Sequence, residues 1–125
     1  MADIIDNVRE RGDEAVFAYT KQFDKWDIHK DTVCVTKDEI EDAFQAMDAD
    51  FIRVMEKAAG NITAFHQKQL HNSWIDPKPD GSILGQKITP IAVSGVYVPG
   101  GKAVYPSSVL MNVLPAKVAG VKKIV

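Results

Sequence analysis

From its first residues the chain sets apolar side chains at helical steps. Ile4, Ile5 and Val8, then Ala15, Val16, Tyr19 and Phe23, recur three and four positions apart, the spacing of one helix face. Gly12 interrupts the series. The pattern therefore predicts a short helix, a break and a second helix of about three turns, with Asp13 as N-cap and Glu14 in the first turn. Thr32 to Val35 is a β-branched run that predicts an edge strand, with Cys34 a small buried residue between Val33 and Val35. Thr36, followed three positions later by Glu39, is a capping box that opens the next helix. Ile40, Ala43, Phe44 and Met47 form its stripe. Asp48 or Asp50 can restart the pattern, and Phe51, Val54, Met55, Ala58, Ile62 and Phe65 carry it to about Leu70.

Beyond Leu70 the helical period is lost. Asp76-Pro77-Lys78-Pro79-Asp80-Gly81 predicts a turn, because two prolines exclude helix and Asp-Gly suits a positive φ. Ile83 to Thr89 and Ile91 to Val98 read as strands separated by Pro90, and Gly85 and Gly95 permit a bulge or a close backbone approach. After Pro99-Gly100-Gly101, Ser107 is expected to cap a helix from Ser108 to about Ala119, closed by Gly120. Val121 to Val125 reads as the start of a buried strand in which the sequence ends.

Composition narrows the class and charge divides the chain. With 125 residues the chain has the size of one domain, and 46% hydrophobic with 26% charged residues excludes collagenous and charge-rich disordered classes. The net charge of -2 excludes a strongly basic nucleic-acid binder. No apolar run reaches the ~18 residues of a membrane span, and Met1-Ala2-Asp3-Ile4-Ile5 lacks the order of a signal peptide, so a cytoplasmic protein with no membrane association is expected. The single cysteine allows no internal disulfide, which fits that compartment. Residues 1–80 hold ten Lys+Arg and all 17 Asp+Glu, giving -7, whereas 81–125 hold five lysines and no acid, giving +5. The acidic part reads as helices with solvated charged faces.

Candidate chemistry concentrates in Gly95-Val96-Tyr97-Val98-Pro99-Gly100-Gly101-Lys102, a strand running into a glycine-rich loop ahead of a helix. Such a loop lets backbone N–H groups approach an anion, and the acid-free surroundings suit a phosphate-bearing ligand. It is not a P-loop, because Ala103 follows Lys102 where a magnesium-binding hydroxyl is required, and Gly-x-Gly-x-x-Gly does not occur. A nucleotide loop and a plain strand-to-helix turn both fit the spacing. His66 and His71 would lie about 140° apart on a helix and cannot chelate one ion from the same face, and His29 sits in a polar loop. Ser107 and Ser108 have no base nearby in sequence. Arg11-Gly12-Asp13 matches an adhesion tripeptide, but the helix break accounts for the same three residues. No catalytic or metal-binding residue is assigned.

The block from Gly95 through Tyr105-Pro106-Ser107-Ser108-Val109-Leu110-Met111 to Pro115-Ala116-Lys117-Val118-Ala119-Gly120-Val121 closely resembles the histidinol dehydrogenase family. Arg11-Gly12-Asp13-Glu14-Ala15 with Phe23-Asp24, and Asn61-Ile62 with Phe65-His66, resemble the family's amino-terminal helices in order and spacing. The resemblance implies an α/β fold: amino-terminal helices over 1–80, then strands and the first strand-helix part of an incomplete, truncated Rossmann-like NAD-binding domain over 81–125. It further implies a homodimeric, zinc-dependent enzyme that oxidises L-histidinol to L-histidine with two NAD. Tyr97 matches the family tyrosine that contacts NAD, with Pro99, Gly100 and Gly101 beside it. The family's Glu-His pair and zinc ligands lie downstream of this block, so the chain is expected to be an inactive amino-terminal fragment. Ile91-Ala92-Val93-Ser94 also lacks the charged residues often found just before the Gly-x-Tyr block. A self-sufficient phosphate-binding or assembly module, and a piece of a related zinc-dependent polyol dehydrogenase, are the alternatives.

Overall fold

The computed structural model describes residues 1–100 and 104–125, which form two compact units, Met1–Met47 and Asp48–Val125. In the first unit, α1 (Ala2–Arg11) and α2 (Asp13–Phe23) pack against each other on either side of Gly12. Gly12 takes φ 57°, a left-handed value that costs an L-residue strain, and its N–H donates to the Val8 carbonyl at 2.8 Å to close α1. The predicted break is therefore present, but the predicted cap is not. Gly12 itself is the N-cap of α2, and Asp13 stands with Glu14 in the first turn, where the helix dipole favours negative charge. Ala15 is fully buried, Asn7 donates to the Tyr19 hydroxyl at 2.8 Å, and Tyr19 stacks on Phe23.

The expected strand at Thr32 to Val35 is a turn, and Cys34 is exposed rather than buried. The Thr32 and Val33 N–H groups both donate to the His29 carbonyl at 2.9 Å, so local bonds occupy donors that a strand would offer to a neighbour. With no partner edge, Val35 is left 71% exposed. The capping box forms as expected at the start of α3 (Lys37–Ala46): the Glu39 N–H donates to Thr36 Oγ1 and the Thr36 N–H donates to the Glu39 carboxylate at 2.8 Å.

In the second unit, Asp48 rather than Asp50 caps α4 (Ala49–Gln67), accepting from the Asp50 and Phe51 N–H groups. Next comes a hairpin of β1 (Trp74–Pro77) and β2 (Ile83–Gln86), antiparallel with Trp74 opposite Gln86 and Pro77 opposite Ile83. Gly81 has φ 86° in its turn, and the Asp80 carboxylate accepts from both the hydroxyl and the N–H of Ser82, which hold it below the usual carboxylate range. The change in composition at 80/81 falls inside this turn. A β-carbon on Gly85 would lie 2.7 Å from the Trp74 carbonyl oxygen, so the anticipated close approach is real there, while one on Gly95 would meet nothing within 4 Å. The strand expected to reach Thr89 ends at Gln86, and Ser73 Oγ then bonds both the N–H and the carbonyl of Ile88.

The strand expected over 91–98 shortens to β3 (Val93–Ser94), which pairs in parallel with β4 (Lys123–Ile124). Between them runs α5 (Pro106–Val118), packed against α4. Its N-cap is Tyr105, not Ser107, because Pro106 at the first helical position brings the required φ and has no N–H to satisfy. At the other end Gly120 takes φ 89° as expected; its N–H reaches the Lys117 carbonyl and that of Val121 the Ala116 carbonyl, each at 3.0 Å. Helices thus lead into strands and a β3-α5-β4 crossover, the α/β order expected for the start of a Rossmann-like domain.

Candidate cofactor-binding loop

The segment between β3 and α5 leaves the carboxyl end of a parallel strand and enters the amino end of a helix, the position at which open α/β sheets hold ligands. Backbone pairing fixes its first residues. The Val125 N–H donates to the Ser94 carbonyl at 2.9 Å and the Val96 N–H donates to the Val125 carbonyl at 2.6 Å, extending the parallel ladder just past β3. Tyr97 follows immediately and is 86% exposed. Pro99 and Gly100 are exposed beside it, and a β-carbon on Gly100 would meet nothing within 4 Å. Gly101, the fourth residue expected at this site, lies outside the described residues together with Lys102 and Ala103.

The charge of this segment suits an anion. No carboxylate side chain occurs from Gly81 onward, so none in that segment repels phosphate. Pro106 contributes no N–H, and the Ser108 N–H is turned onto the Tyr105 carbonyl at 3.0 Å. The helix start therefore lacks two backbone donors, those of positions 106 and 108. An exposed aromatic ring and an open glycine backbone, in a segment without carboxylate side chains, fit a dinucleotide.

The same fit fails for zinc. Among the described residues no group of three His, Cys, Asp or Glu side chains is placed to hold a metal ion. His66 is hydrogen-bonded to Gln69 at 2.6 Å and meets the edge of Phe65, a helix-surface arrangement. Sequence reasoning missed the backbone anchors of the loop at Ser94 and Val96. The stretch Val121-Lys122-Lys123-Ile124-Val125 signalled a strand but not which neighbour it would choose, and parallel pairing to β3 is what brings Tyr97 to the strand's end.

The family model for histidinol dehydrogenase matches residues 1–125. Histidinol dehydrogenase of Geobacillus kaustophilus is 54% identical over 123 residues, covering 98% of this chain and 28% of that protein. The Bacillus subtilis enzyme of the same name is 50% identical over 122 residues, with the same two shares of 98% and 28%. Among solved structures, the crystal structure of histidinol dehydrogenase from Elizabethkingia anophelis matches with a TM-score of 0.87 at 34% identity, covering 98% of this chain and 28% of that one. The chain spans less than a third of the length of these relatives.

Proposed function

Because the chain belongs to the histidinol dehydrogenase family, we propose that it serves as the amino-terminal part of a homodimeric cytoplasmic enzyme that oxidises L-histidinol to L-histidine with two NAD. In this reading, residues 1–80 are a mainly helical region and 81–125 begin the NAD-binding domain. Tyr97, Pro99, Gly100 and Gly101 are its cofactor-binding residues. NAD supplies the hydride acceptor for two successive oxidations, alcohol to aldehyde and hydrated aldehyde to acid, each releasing a proton as well. Tyr97 would contact the cofactor through its ring, and the glycines would allow a close backbone approach to it. No proton transfer and no metal step is assigned to the described residues, since none of them forms a ligand set. Zinc and the general base belong, in this proposal, to sequence that follows.

The β3-α5-β4 crossover with exposed Tyr97 at the end of β3 is the observation that carries the cofactor role. Surface area supports the reading as a part. The chain exposes 10694 Å² at a mass of 13.8 kDa. A compact monomer of that mass exposes about 6,600 Å², and two separately compact bodies roughly 8,000 Å². Large apolar side chains also lie open to water, including Ile40 and Phe44 on α3 and Ile75 and Ile83 on the hairpin.

The cofactor role is tested in a protein in which these residues continue into the remaining length of the Geobacillus kaustophilus relative. Tyr97→Ala should raise KM for NAD about tenfold, the value of a lost aromatic contact of roughly 1.4 kcal/mol, while Tyr97→Phe stays close to the parent and KM for histidinol is unchanged. An unaltered KM for NAD in Tyr97→Ala would remove Tyr97 from the site. Tight, Tyr97-dependent NAD binding by the 125 residues alone would instead favour a self-sufficient binding module.

A further inference from the structure

We draw no further inference here: the strongest candidate, the exposed apolar face of the β1–β2 hairpin formed by Ile75, Pro77 and Ile83, carries nothing because nothing in the structure shows what covers it.

Discussion

Glu39 shows how much one side chain settles locally. Its carboxylate accepts hydrogen bonds from the Thr36 N–H and the Thr36 hydroxyl, which hold its pKa below the ordinary 4.5. A carboxyl depressed in the folded state stabilises above its unfolded pKa, and that contribution is lost as pH falls through the lower folded value. Helix α3 should therefore be firmer in the parent than in Glu39→Gln near neutral pH, with the gap narrowing below about pH 4.5. Far-UV circular dichroism across that range checks this; a gap that stays constant or widens toward acid would contradict it. The box was legible in sequence because all its partners lie within four consecutive residues. Gly12, Gly81 and Gly120 were legible for the same reason, each at a positive φ that its neighbours alone demand. Cys34 was not, since its burial depended on a strand that needed a neighbour from elsewhere in the chain.

That dependence recurs among the elements. The helices follow from side-chain period and caps, and α1, α2, α3 and α4 lie within a few residues of expectation. Strands gain their hydrogen bonds only by pairing, so residue pattern alone overextended β2 and β3 and missed β1. Trp74 to Pro77 contains Asp and Pro, both poor strand formers, yet it pairs because the Asp80-Gly81 turn brings Ile83 to Gln86 alongside. Gly85 is the tightest point of that pairing, with no room for a β-carbon against the Trp74 carbonyl. Since the obstructing atom is backbone, Gly85→Ala should push the strands apart and disturb the Trp74 environment, read as a change in tryptophan fluorescence and a lower thermal midpoint. An unchanged spectrum and midpoint would show that the hairpin register is wrong. The glycine loop was visible as a loop, but its place at the end of a parallel strand required the β3–β4 pairing, a contact about 30 residues apart in sequence.

At the scale of the molecule, the charge partition and the exposed apolar surface describe the same circumstance. Most acidic groups sit on the helices of 1–80, the acid-free segment holds the crossover and its loop, and Ala15 is the one fully buried hydrophobic residue among those described. A chain with so much apolar area open to water should associate with itself when isolated, through strand edges or helix faces. Light scattering on the 125 residues should give a mass that rises with concentration; a monomer at high concentration would contradict that expectation. The central claim is that this piece supplies a cofactor loop without the groups that perform the chemistry. Its most direct test is NADH formation from histidinol and NAD by the isolated chain, supplied with zinc. No NADH should form, and clear histidinol-dependent turnover would contradict that claim.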